Sequence, residues 1–325
     1  MEIKNRIEFV DLAKGVCILL VVVNHIGVPE CIPGLYAAEV PIFFVLSGLF
    51  FLNQVNRGGY FVNISKSIIL SFLIYYFVSY ILFYLMNWIK PDLLGENHGF
   101  SIIDIFRQRN LFNGPLWFLL SLAEVELLFL ALWKLIKNEK WRCCIILSIA
   151  ILGFALSEFK IFVPLWLDTT MVASLFFYMG IIISRTAFLT DKPKPFFLIV
   201  SGFFSYMIFL LFPVRIQMST NQYSNVYLTV ISGMAIVGFI LFVCKLIKKL
   251  PLINWIGTNS LIILCTHHLI YRPIRVLLMK LGTDNVLILF LVTMIIEVPV
   301  IYIINRWLPV LAGKLGKANK QRFKA

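Results

Sequence analysis

Charge is what this chain has least of: 14% of its 325 residues are Asp, Glu, Lys or Arg, while 60% are hydrophobic and the mean hydropathy is +0.91. Soluble domains carry about a quarter charged residues, so a water-soluble fold is excluded. The 30 Phe and 12 Tyr supply more apolar surface than one soluble core hides, which leaves lipid to solvate the outside. A Zn motif, a P-loop and a GxGxxG turn are all missing. So is the GxSxG elbow of soluble-type serine hydrolases. The six Cys form no CxxC pair, and Cys17, Cys143, Cys144, Cys244 and Cys265 lie in or beside apolar runs. They read as small buried residues, so neither a disulfide framework nor a metal site is expected. There is no internal repeat, low-complexity stretch or soluble appendage. One membrane domain, residues 1–310, is therefore expected to carry the function, followed by a basic cytoplasmic tail at 311–325.

What is present is a series of long apolar runs. A helix needs about 20 apolar residues to cross roughly 30 Å of hydrocarbon. By that measure the sequence predicts an all-α polytopic membrane protein of about ten transmembrane helices. They fall at 8–27, 37–52, 67–89, 115–136, 142–157, 169–188, 196–212, 226–247, 252–272 and 285–305, the second, fifth and seventh being short. Lys4 and Arg6 precede the first run as in a signal peptide, but Asp11 and Lys14 interrupt it, and a retained helix is expected.

Basic residues outnumber acidic ones, 29 to 16, for a net charge of +13. With the N-terminus in the cytoplasm, inner segments hold 20 Lys and Arg and outer loops hold 8. That bias predicts both termini inside and an even number of spans. It also accounts for the charge through anionic lipid headgroups, with no nucleic-acid partner. The longest outer loop, near 90–114, contains Lys90, Asp92, Glu96, His98, Asp104, Arg107 and Arg109. It suits a cap or substrate-facing rim, or an ordinary solvated loop.

The first span reads Asp11-Leu-Ala-Lys14 and ends Val23-Asn24-His25. At about 100° per residue, Lys14 and His25 fall within roughly 20° of each other, with Asp11 about 40° from His25. One polar stripe results, on which Lys14 and His25 sit about 16 Å apart along the axis. An intramembrane charge costs about 2.5–3.5 kcal/mol and is tolerated where it pairs or lines a polar cavity. Asp11 and Lys14 are placed to pair with each other. No carboxylate lies within a turn of Asn24 and His25. Imidazole, with an unperturbed pKa of about 6.5, suits proton abstraction near neutral pH, which makes His25 the candidate general base. A buried imidazole serving as interhelical glue is the alternative.

Gly257-Thr-Asn-Ser260 leads into His267-His268 on a span entering from the inside. Adjacent residues point about 100° apart on a helix, so one of the two histidines, His267, is expected to face the site. Ser47, Glu124, Glu126, Asp168, Ser174 and Glu297 are the other polar intramembrane residues. Asp168 equally suits a helix cap. Trp117 and Trp166 lie where belt aromatics sit and where sugar rings stack.

These blocks resemble the acyltransferase-3 family of membrane-bound O-acyltransferases. Lys14 and His25 match its basic-x10-His signature, with Asp11 and Gly15 in register. Pro41-Ile-Phe-Phe-Val-Leu-Ser47-Gly48 is similar to its Pro-x-Phe-Phe-x-x-Ser-Gly block, and Leu116-Trp117-Phe118-Leu119 to its Leu-Trp-Phe-Leu block. Phe176 to Gly180 and Gly257 to His267 resemble later blocks, so the likeness spans about 5–310. It implies a ten-helix domain of the cytoplasmic (inner) membrane. Such a domain takes acetyl or a related acyl group from acyl-CoA, a co-substrate rather than a bound cofactor, and passes it to a hydroxyl of a cell-surface or lipid-linked glycan.

On that resemblance His25 is catalytic, and Lys14, with Asp11, belongs to the donor site. The Arg-x-x-Arg pair of many relatives is reduced here to Asn63-Ile-Ser-Lys66, which leaves Arg57, Lys66 or other inner loops for the CoA phosphates. Asn24, Ser47 or a backbone donor would stabilise the oxyanion. Trp117, Arg107, Arg109, Asp168 and His267 are the candidate acceptor contacts. The fused extracytoplasmic hydrolase-like domain of some relatives is not expected, so transfer would end on the membrane domain or on a partner. The rival reading is a transporter or exporter of glycan or lipid. It lacks an inverted repeat and paired broken spans.

Overall fold

The computed structural model describes residues 7–56, 59–89, 101–107 and 111–313. The apolar runs are helices because backbone N–H and C=O groups must satisfy each other within a segment when lipid surrounds it. In chain order they are α1 (Glu8–Ile26), α2 (Leu35–Ala38), α3 (Pro41–Val55), α4 (Tyr60–Ile64) and α5 (Leu70–Ile89). Then come α6 (Asp104–Arg107), α7 (Trp117–Leu135), α8 (Glu139–Glu158), α9 (Leu167–Ser184) and α10 (Pro195–Leu211). The series closes with α11 (Val226–Ile247), α12 (Pro251–Thr258), α13 (Ser260–Lys280) and α14 (Val286–Trp307). A two-stranded antiparallel hairpin, β1 (Ile216–Gln217) and β2 (Gln222–Tyr223), joins α10 to α11.

Among the described residues, nine helical segments are long and apolar enough to cross a membrane, which makes this a polytopic membrane protein. The tenth expected span is α10, with 17 residues. At 1.5 Å per residue it reaches about 25 Å, short of the hydrocarbon thickness. Two boundaries differ from the sequence reading. The third segment starts earlier, at Tyr60, and runs through a π-helical turn over Ser65–Ile69 into α5. The segment expected at 252–272 breaks at Asn259 (φ −115°, ψ 14°), so that α12 is a separate short helix and the long one is α13. Asn259 Nδ2 donates to the Trp255 carbonyl, and Asn305 Nδ2 of α14 donates to Asn259 Oδ1 at 2.8 Å, which holds the break from outside. Arg272, Pro273 and Arg275 lower the hydropathy of the second half of α13 and hid its true end.

Two helix pairs approach through glycine. Gly15 of α1 faces Gly257 of α12 so closely that a Cβ on Gly257 would stand 1.9 Å from the Asp11 carbonyl oxygen. Gly48 of α3 and Gly180 of α9 face each other in the same way, with would-be Cβ contacts of 2.0 and 2.1 Å to the Phe177 and Val45 carbonyls. Small residues at such crossings let backbones touch where lipid offers no hydrophobic drive for association. At the start of α1, Lys249 Nζ lies 2.6 Å from Glu8 Oε1 and Asn254 Nδ2 donates to the Glu8 carbonyl, so α1 is fastened to α12. The helix α1 is enclosed by α2, α3 and α11 to α14. By contrast α8 and α14 are only 17% and 28% buried over their most apolar windows, and they present Ile151, Leu291 and Ile295 to the lipid.

Candidate functional site

The end of α1 carries the site because the helix stops there. Gly27 takes φ +88°, open to glycine at little steric cost, and its N–H turns back to the Val23 and Asn24 carbonyls. The Arg275 guanidinium of α13 donates to the Ile26 carbonyl, supplying a partner to one of the carbonyls the helix end leaves over. Asn24 and His25 therefore occupy the last turn of α1 and border a cavity of about 830 Å³. Its other walls are the 28–40 segment, Trp117 at the start of α7, Phe209 of α10 and the 213–219 loop with Arg215 and Gln217. That loop is tied down by Trp166 Nε1 donating to the Ser219 carbonyl and Thr169 Oγ1 to the Met218 carbonyl, at 2.7 and 2.8 Å.

His25 is exposed to the cavity, and its Nδ1 lies 2.8 Å from the Val21 carbonyl. A carbonyl only accepts, so Nδ1 carries the proton of the neutral ring and Nε2 the lone pair. Behind it stand both histidines of α13. The His25 ring centroid is 5.2 Å from that of His267 and 4.8 Å from that of His268. The expectation that only one would face the site is thus corrected. Adjacent residues do diverge along α13, but α1 crosses close enough for His25 to meet both rings, which are themselves 5.2 Å apart. His267 Nδ1 donates to the Ile263 carbonyl at 2.7 Å, and the Tyr271 hydroxyl lies 3.3 Å from His268 Nε2. Gly114 makes room on the far side, since a Cβ there would stand 3.2 Å from His268 Cε1. Asn113 bridges Ser79 and the Cys265 carbonyl, and so positions the start of α7 against α13.

A carboxylate also arrives that local sequence did not place near His25. Asn24 Nδ2 donates to Glu39 Oε1 at 2.8 Å; Glu39 is buried, and its Oε2 has no hydrogen-bond partner. The readable signal was an acid two residues before Pro41 inside an apolar run. Arg272 and Arg275 were missed as well, and their spacing on α13 one turn after His268 was the available clue.

The remaining predicted residues are placed as follows. Trp117 lines the cavity. Ser47 is half-buried on α3 and is not part of the cavity lining. Asp11 is buried and Lys14 half-buried at the opposite end of α1, also outside that lining. Lys66 is exposed in the π-helical turn. Asp168 is buried at the start of α9, where Oδ1 accepts from the Thr169 N–H and Oδ2 from Asn221 Nδ2. It borders a separate cavity of about 300 Å³. Arg107 is the last residue of α6. Arg57 and Arg109, with the tail beyond 313, lie outside the described residues.

Compared with known proteins, residues 7–306 match a family described as an acyltransferase domain, the acyltransferase-3 family. No curated protein and no solved structure matches the chain.

Proposed function

The chain belongs to the acyltransferase-3 family, and from that premise we propose that it is an O-acyltransferase of the cytoplasmic (inner) membrane with both termini in the cytoplasm. It takes acetyl or a similar acyl group from cytoplasmic acyl-CoA and delivers it to a hydroxyl of a cell-surface or lipid-linked glycan. The observation that carries this reading is the imidazole of His25, its Nδ1 held by the Val21 carbonyl, lining the 830 Å³ cavity, a volume within the usual range of small-molecule sites. The acceptor hydroxyl gives its proton to Nε2 as its oxygen attacks the thioester carbonyl carbon. The C–S bond then breaks, and the CoA thiolate takes that proton back, leaving the ring neutral.

Asn24 supports the same reaction. One of its Nδ2 protons is committed to Glu39, which turns the amide and leaves the other to meet the developing oxyanion. Trp117 offers an aromatic face for a sugar ring, while Lys14 and Asp11, about 16 and 21 Å along the helix from His25, mark where the acyl-CoA arm approaches. Arg57 and Lys66 are candidates for its phosphates, and Arg107, Arg109, Asp168 and His267 for acceptor contacts further out.

Two measurements test the reading. Surface glycans from cells with and without the gene are compared by mass spectrometry, and loss of an acyl substituent is expected on deletion. Purified protein is expected to bind acetyl-CoA; unaltered glycans together with no binding would return the protein to the exporter reading. Glu39, as a positioning residue, makes a finer prediction. Glu39→Ala is expected to lower kcat about 10-fold with KM little changed, since the lost orientation acts on the transition state. Glu39→Gln, which retains an acceptor oxygen for Asn24, is expected to recover most of it.

A further inference from the structure

Three of the four histidines of the chain meet at one point, with one ring nitrogen of each already spoken for. His25 Nδ1 and His267 Nδ1 donate to backbone carbonyls of their own helices, which leaves both Nε2 atoms as acceptors. The Tyr271 hydroxyl lies 3.3 Å from His268 Nε2, and in the tautomer in which the hydroxyl accepts from that nitrogen the lone pair of the ring is on Nδ1. His267 Nε2 and His268 Nδ1 are buried and without hydrogen-bond partners. One ring nitrogen from each of the three histidines lies within 4.8 Å of the other two. Lone pairs that converge in a buried place repel unless a cation stands among them.

We propose that His25 Nε2, His267 Nε2 and His268 Nδ1 form a binding site for one divalent transition-metal ion of the zinc class, and that the bound ion blocks acyl transfer by occupying the base. Three neutral imidazoles suit zinc and its neighbours, whereas magnesium and calcium require oxygen. In a tetrahedral site with metal–nitrogen distances near 2.05 Å, nitrogens stand about 3.3 Å apart, so each ring needs to move inward by roughly 0.8 Å at most. Small side-chain rotations supply that. The carbonyls of Val21 and Ile263 and the Tyr271 hydroxyl fix ring orientation from outside, as partners of ligating histidines do. His25 opens onto the cavity, which leaves the fourth position to water. Arg272, on the next turn of α13, directs its guanidinium to the Phe112 carbonyl, and a positive neighbour weakens cation binding. The ion site follows from the histidine geometry alone, while its inhibitory effect rests on the proposed role of His25.

The test is titration of chelator-treated full-length protein in detergent with zinc chloride, followed by calorimetry, and with cobalt chloride, followed by visible absorption. One zinc per chain is expected. The cobalt spectrum is expected to be that of a tetrahedral nitrogen site without thiolate charge transfer, which separates it from the six cysteines. His267→Ala and His268→Ala should each weaken zinc binding by about 100-fold or more, a larger effect than loss of an outer partner. Zinc is expected to inhibit acyl transfer over the concentration range in which it binds. Absence of a tetrahedral cobalt spectrum in the wild-type protein, or zinc affinity unchanged in both variants, would overturn the site and leave a shared proton as the occupant. Transfer that proceeds without zinc binding removes the site and leaves the acyltransferase reading. Zinc binding in a protein that transfers nothing does the reverse.

Discussion

Replacing His25 with alanine is expected to reduce acyl transfer by about 10²–10⁴-fold, the usual contribution of a positioned general base, while the protein stays abundant in the membrane. The size of the loss follows from the tautomer. With the Nδ1 proton held by the Val21 carbonyl, Nε2 is the basic atom of a ring that lines the cavity. The tolerance of the fold follows from the same contact. The hydrogen bond of His25 is to its own helix, and its ring borders a cavity rather than filling the core. His25→Gln should be as inactive as alanine, because a carboxamide has hydrogen-bonding reach without basicity. Transfer of labelled acetyl from acetyl-CoA, normalised to monodisperse protein on size exclusion, is the measurement. Wild-type turnover in either variant would remove His25 from the chemistry.

The second large effect is on assembly rather than on chemistry. Gly257→Ala places a methyl 1.9 Å from the Asp11 carbonyl oxygen and 2.6 Å from the Gly15 nitrogen. Both are backbone atoms, so no side chain can swing aside, and α1 and α12 must separate by about 1.5 Å to reach ordinary contact. Overpacking costs about 1–3 kcal/mol, and with backbone atoms on both sides the upper end, about 3 kcal/mol, is expected here, so at roughly 2–4 °C per kcal/mol the thermal midpoint should fall by about 6–12 °C. Gly257→Leu is expected to leave little folded protein. The control is Gly202→Ala on α10, whose new Cβ would meet only the Phe242 Cβ at 3.6 Å. That variant is expected to match or slightly exceed the wild-type midpoint, because alanine is the better helix former. Equal midpoints for Gly257→Ala and Gly202→Ala would contradict the close crossing. The consequence extends to the site, since α12 leads through Asn259 into α13 and its two histidines.

How much was legible depended on which interaction decided each feature. Helices and their number could be read locally, because backbone satisfaction in lipid depends on the run of apolar residues and on little else. The same local rule failed where polar residues interrupt a run: Arg272 and Arg275 masked the second half of α13, and Asn259 broke a span that hydropathy alone joined.

Sequence by itself determined that the chain is a polytopic helical membrane protein, and that Lys14 and His25 share a stripe of α1, because a helix's period fixes the angular relation of residues along one segment. Tertiary structure alone decided what faces that stripe. It brought both His267 and His268 onto His25, Glu39 onto Asn24 and the 213–219 loop over the cavity, while it put Asp168 against a different one. These pairings arise where helices distant in the chain cross, and the crossings are set by glycine contacts such as Gly15 with Gly257. The period of a single helix carries no information about the neighbour it will meet.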